Sequence, residues 1–293
     1  MKLTSFFLLF LATLGEAQKC TPTLKCLPTK TPPTLDADLK DWSKVDGVKT
    51  TLTMQAADKN YDEKATIKCS YDSTNIYFAF EIPGDYRFNA TNNKQCAAIA
   101  TMMKVGPDAT FIDMGGCPEA LYGNCTNIPA SVCDGHLVDI GAHWELAGTM
   151  QSVTYGINVT GGTGNDLTAN KDDKYAVNSF CRKDDNGANA GNEWAGAWAH
   201  TNPIIGASGI YKFEMSRLLT TLSTRTDAQL VAGGTTQFGF AFWDPFEIEE
   251  KGWTDAGHYI TGCANQWTDL VLVVPPTKAP TMKKAAKKKG KRN

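Results

Sequence analysis

Nine cysteines are the most chemically specific residues of this 293-residue chain: Cys20, Cys26, Cys69, Cys96, Cys117, Cys125, Cys133, Cys181 and Cys263. A thiol can bind metal, attack a substrate or oxidise to a disulfide, and spacing separates these uses. Cys117, Cys125 and Cys133 recur every eight residues in a stretch rich in Gly, Pro and Asn. They lack the paired C-x-x-C spacing of a zinc site and read as disulfides stapling a long loop. Cys20 and Cys26 are near enough in sequence to close a small N-terminal loop. No C-x-x-C-H occurs, which excludes covalent c-type haem attachment by that motif, and the odd count leaves one thiol over.

Hydrolytic chemistry has little support. No Gly-x-Ser-x-Gly, His-Glu-x-x-His or P-loop is present. Glu249-Glu250 and Asp172-Asp173 are adjacent carboxylates, but they lie in hydrophilic stretches expected to face solvent. A glycosidase needs two carboxylates at a defined separation in space, which adjacency in sequence does not supply. Three acceptor sequons, at Asn89, Asn124 and Asn158, belong on an exported surface. Seven tryptophans are present, of which Trp194, Trp198 and Trp253 fall in predicted loops, where exposed indoles would stack on sugar rings.

The elements that must position these residues are mostly strands. Residues 67–82 alternate as a hairpin around Asp72-Ser73-Thr74-Asn75. Further strands are predicted over 99–105, 151–159, 209–215, 236–244 and 267–274, with one short helical turn over 216–222. Residues 161–201, rich in Gly, Asn and Asp, read as a long functional connection. The expected fold is all-β: a single β-sandwich over 33–274 with long loops, preceded by a Pro/Thr/Cys-rich segment at 18–32.

The ends carry addresses. Met1-Lys2, an apolar run from Phe6 to Leu14 and Gly15-Glu16-Ala17 form a signal-peptide pattern over 1–17, with cleavage predicted after Ala17. The apolar run is too short for a span, which takes about 20 residues. Export, disulfides and sequons agree. After Val274, a Pro/Thr linker and a Lys-rich stretch occupy 275–293, with eight basic residues and no acidic ones. Without those eight, 21 basic residues face 31 acidic ones, so the rest of the chain carries −10. An acidic body argues against nucleic-acid binding by the fold. The tail is expected to be disordered: either a merely solvated end or one that adheres to an anionic surface or polysaccharide.

Motif order carries a resemblance. Leu35-Asp-Ala-Asp-Leu-Lys-Asp-Trp42 and the Tyr71-to-Phe78 hairpin look like the opening of family 9 carbohydrate-binding modules. Phe111-Ile-Asp-Met114-Gly115, Val138-Asp139-Ile140 with His143-Trp144, Gly209 to Leu219, and Phe238 to Asp244 resemble the haem-binding domain of ethylbenzene dehydrogenase and related cytochromes. That resemblance spans roughly 33–274. It implies a β-sandwich holding one non-covalent haem b, with iron bound by a Met and a Lys, that passes electrons to a redox partner protein. Met114 matches the Met; a plain core residue is its competing reading. Where the family has its Lys this chain offers His200, with a surface-loop role as the competing reading, and His143 and His258, the latter expected in a loop, as alternatives. Either Lys212 or Arg217 is expected to pair with a haem propionate.

The leading expectation is therefore a secreted haem-binding, electron-transfer protein of cytochrome b type, not an enzyme. The alternative is an extracellular or wall-associated protein like a carbohydrate-binding module.

Overall fold

The computed structural model describes residues 23–54, 59–89, 92–118, 130–145, 159–160, 173–184, 194–249, 251–254, 257–261 and 266–274. Among these the chain forms fourteen strands: β1 (Leu24–Pro28), β2 (Val48–Met54), β3 (Lys59–Tyr71), β4 (Asn75–Asp85), β5 (Ala98–Lys104), β6 (Val138–Glu145), β7 (Val159–Thr160), β8 (Asp173–Asn178), β9 (Cys181–Asp184), β10 (Ala195–His200), β11 (Ser208–Leu218), β12 (Thr235–Trp243), β13 (His258–Thr261) and β14 (Thr268–Leu272). The other regular segments are single 3-10 turns.

One continuous hydrogen-bonded path runs β7-β10-β11-β4-β3-β1-β14-β12-β5-β6-β8-β9. It doubles back on itself. Three strands separate β4 from β12 along the path, yet Phe78 stacks on Phe238 at 5.5 Å and Phe80 on Phe240 at 4.4 Å. The two halves thus face each other as a sandwich, one half built on β10, β11, β4 and β3, the other on β14, β12, β5 and β6. Two bridges join them: β1 lies parallel to both β3 and β14, and β2 and β13 link β3 to β12.

Period-two alternation explains the core. Ile76, Phe78, Phe80 and Ile82 of β4, Tyr211, Phe213 and Met215 of β11, and Phe238, Phe240 and Phe242 of β12 all point inward into one cluster. The turn of the β3–β4 hairpin is fixed by Asp72, whose Oδ1 accepts from the backbone of Thr74 and Asn75.

Several sequence expectations are revised. Residues 216–218 extend β11 rather than starting a helical turn, because Arg217 and Leu218 pair with Ile76 and Asn75. His258 begins β13 instead of lying in a loop, and the 161–201 stretch contains β8, β9 and β10. Cys26 bonds Cys69, joining β1 to β3, rather than Cys20. Cys117–Cys133 is a loop staple as expected, and Cys181 is also disulfide-bonded. Cys96 keeps its thiol, buried between the backbone N–H and C=O of Asn89. Residues 1–17 and 275–293, most of 151–159, Asn124 and Asn158 lie outside the described residues.

Both outer faces of the sandwich are covered. Residues 35–45 cross β4, β11 and β10: Leu39 and Trp42 pack on Tyr77 and Ala79, and Ala37 packs on Ala197 and Ala199. Residues 106–117 fold back over β12, β5, β6 and β8, where Ala109 and Met114 pack with Val138, Ile140, Ala176, Met102 and Trp267.

Candidate functional site

The proposed haem ligands are not brought together. His200 points inward from β10, opposite Tyr211, with Tyr86 at 5.1 Å and Tyr211 at 4.5 Å. Met114 sits on the outer side of β5 and β6. The whole second layer therefore stands between them, and no single iron can reach both. His200 is also committed to the backbone: Nδ1 accepts from the Asn202 N–H at 3.1 Å and Nε2 donates to the Gly84 carbonyl at 3.2 Å. Burial pushes its pKa down and favours this neutral form. It is a buried structural residue, neither the surface-loop residue nor the iron ligand expected from sequence.

Of the two expected propionate partners, Arg217 is engaged as well. Arg217 is 1% exposed, bound to Asp139 and to the Ala228 carbonyl, with its guanidinium 5.7 Å from the Trp194 ring. Ala228 N–H closes the same carboxylate at 2.9 Å. This is a charge pair internal to the core, and it holds the 219–230 loop against β6. Lys212 is half-buried on the outer side of β11, between Glu81 and Ala199 in register. His143 lies in β6, paired in the region of β5. His258 is buried against Trp243 at 4.9 Å. Met102 is half-buried on the outer face and Met103 fully buried within. Among the described residues, the side chains expected to hold a haem do not converge on one site.

The tryptophans also differ from expectation. Trp194, Trp198 and Trp253 are 5%, 2% and 5% exposed. Trp253 donates its indole N–H to the Cys96 carbonyl under Lys94, and Trp198 stacks on Phe88 inside the sandwich. They are core residues, not platforms for sugar. Trp42 and Trp243 are buried too. Among tryptophans with described side chains, only Trp267 is partly exposed rather than buried.

Around Trp267, at the margin of the 106–117 cover, the sequence builds a polar, partly exposed strip of sheet. Thr268, Leu270 and Leu272 point inward, so Trp267, Asp269 and Val271 point outward. Asp269 pairs directly with Gln237 of β12, and the Gln237 amide donates to Asp269 Oδ1 at 2.7 Å. The next row is Lys25, Val271 and Thr235 on β1, β14 and β12. The Trp267 indole N–H reaches the Ala109 carbonyl at 3.4 Å, and Phe111 meets the ring edge-on at 5.1 Å. An aromatic ring beside a carboxylate, a carboxamide and a hydroxyl can stack on the C–H face of a sugar while bonding its hydroxyl groups. Sequence reasoning missed this face because it passed over Trp267 as an apolar closing-strand residue; its i, i+2 relation to Asp269 was the available signal.

No family model matches the chain, so the haem-binding resemblance gains no support there, and no curated protein matches significantly. Solved structures with likeness include a family 9 carbohydrate-binding module from Caldicellulosiruptor kristjanssonii in complex with glucose, at 10% identity and TM-score 0.38 over 87% of this chain and 98% of that one. The cellotriose complex from the same organism gives 9%, 0.39, 88% and 97%. A candidate carbohydrate-binding protein from Bacteroides uniformis gives 8%, 0.38, 87% and 93%. Likenesses of this size assign no residue, and the Trp267 face stands on its own geometry.

Proposed function

We propose that this chain is an exported, disulfide-stapled β-sandwich that binds carbohydrate without transforming it. The carrying observation is that Trp267, the one tryptophan with a described side chain that is partly exposed, shares an outer sheet face with the hydrogen-bonded Gln237–Asp269 pair. Its ring supplies the apolar platform, and the amide and carboxylate supply hydroxyl recognition. The Lys-rich 275–293 segment adds adhesion to an anionic polymer, an electrostatic contact that weakens as salt shortens the Debye length to ~8 Å near 0.15 M. The Cys26–Cys69 and Cys117–Cys133 bonds suit an oxidising, extracellular setting.

The test is pull-down of the mature chain, with and without residues 276–293, on a panel of insoluble plant, fungal and algal polysaccharides. Trp267→Ala is expected to lower retention at least ~tenfold, equivalent to about 1.4 kcal/mol, with a lowered thermal midpoint but an unchanged far-ultraviolet circular dichroism spectrum at the assay temperature. Deleting the tail is expected to remove only the salt-sensitive fraction. Retention that survives Trp267→Ala in the tail-less chain rules out this face.

A further inference from the structure

We infer that Phe111 is the positioning residue of the Trp267 platform, and that the Phe-x-x-Met-Gly motif serves this chain through its phenylalanine rather than its methionine. This rests on the carbohydrate reading and adds the residue that sets the ring's orientation.

Phe111 is 7% exposed, although the turn that carries it lies on the protein surface. Its ring enters the outer face at Gly239, where a side chain would collide: a Cβ there would stand 2.4 Å from Phe111 Cε2. Gly239 therefore opens a socket in β12, Phe111 fills it, and the filled socket presents a ring to Trp267 at 5.1 Å and an interplanar angle of 76°. Edge-to-face contact of this kind fixes an aromatic ring more narrowly than aliphatic packing does. A second hold on the same indole comes from the Ala109 carbonyl, two residues before Phe111. Both contacts issue from one short turn, so the turn fixes the indole on two sides while the residue stays partly exposed.

The turn itself is held firmly. Thr110 and Gly115 exchange backbone hydrogen bonds at 3.1 and 3.0 Å, and Cys117 N–H bonds the Val177 carbonyl at 2.8 Å. The Cys117–Cys133 disulfide closes its far end. Met114 packs beneath this turn against Val138 and Ile140 and contributes no more than apolar contact. A platform held before the ligand arrives loses little side-chain entropy on binding, which favours affinity.

The full-length exported protein labelled with 5-fluorotryptophan tests the inference, the Trp267 fluorine resonance being assigned with Trp267→Phe. Phe111→Ala is expected to shift and broaden that resonance while leaving those of Trp42, Trp198 and Trp243 in place. It is also expected to reduce retention on the best-bound polysaccharide of the panel at least ~tenfold. Phe111→Tyr is expected to restore both, because the ring remains in its socket. Met114→Leu is expected to change neither. An unmoved Trp267 resonance in Phe111→Ala overturns the inference, and so does full retention despite a moved resonance. If the resonance moves but no polysaccharide retains even the unaltered protein, the carbohydrate reading falls and Phe111 is left orienting a ring of another purpose.

Discussion

The two outer faces of the sandwich are covered by opposite means. On one, residues 35–45 are tied to a single buried carboxylate. Glu214, 1% exposed on β11, accepts from the indole N–H of Trp42 at 2.6 Å, from Asp36 N–H at 3.0 Å and from Ala37 N–H. On the other, residues 106–117 are closed by the Cys117–Cys133 bond, and the chain crosses the face with positive φ at Asp113, Met114, Gly115 and Gly116. The first cover depends on charge and hydrogen bonding, which also hold its one left-handed residue, Ala37, at φ of 60°. The second holds an unfavourable backbone by a covalent bond. A loop that only shields can rest on hydrogen bonds, whereas a loop that must hold a neighbour's ring in place is stapled.

The difference can be broken at each point. Trp42→Ala should have the largest effect, about 4 kcal/mol lost in urea unfolding, since it empties a fully buried site and leaves Glu214 short of a donor. A loss under about 1 kcal/mol would show that the 35–45 segment does not hold its face. Replacing Cys117 and Cys133 together with Ala should cost about 3 kcal/mol from loop entropy across the 16-residue separation. The same double variant should abolish the dependence of stability on reductant at this cover; a reductant response that persists there would move the staple elsewhere.

Glu214 sharpens the comparison through pH. Burial raises its pKa above the ordinary carboxylate range, while the bonds from Trp42, Ala37 and Asp36 pull it part-way back. A folded-state pKa above the unfolded value means that this group's contribution is fully present below the unfolded pKa of about 4.3 and is lost as pH rises through the folded value. The stability of the native chain relative to Glu214→Gln should therefore fall on going from about pH 4 to neutrality, read from paired denaturation curves. The opposite slope would mean that the three donors outweigh burial. The smallest effect is expected at the other cover. Asp113→Gly, at an exposed position with φ of 59°, should stabilise by roughly 0.5–1 kcal/mol by relieving the left-handed backbone.

Much of the fold is legible in the sequence, and the site is not. Alternation in 76–82, 209–215 and 236–244 reports strands because each has one face in a shared core. The 35–42 motif resembles the opening of a carbohydrate-binding module, and its Trp and backbone amides serve a carboxylate of the same chain, Glu214, far away in sequence. The same blindness misplaced Arg217 and His200. A lone Arg or His in a strand looks available until its partners, Asp139 or the Gly84 carbonyl, are brought in by tertiary pairing. The short 161–201 strands escaped because Gly and Asn weaken their local signal, and pairing with β6 and β11 outweighs it.

The pairing of β1 with β14 bears on how the molecule is made. Leu24 lies beside Leu270 and Cys26 beside Leu272, so the first strand bridges the halves only once the last exists. Closing so long a loop is entropically costly and slow. Until β14 has been synthesised, this bridge between the halves cannot form. The same delay leaves Leu24–Cys26 of β1, which the Cys26–Cys69 bond ties to β3, without its second neighbour until β14 docks, an interval in which that edge is open to wrong pairing.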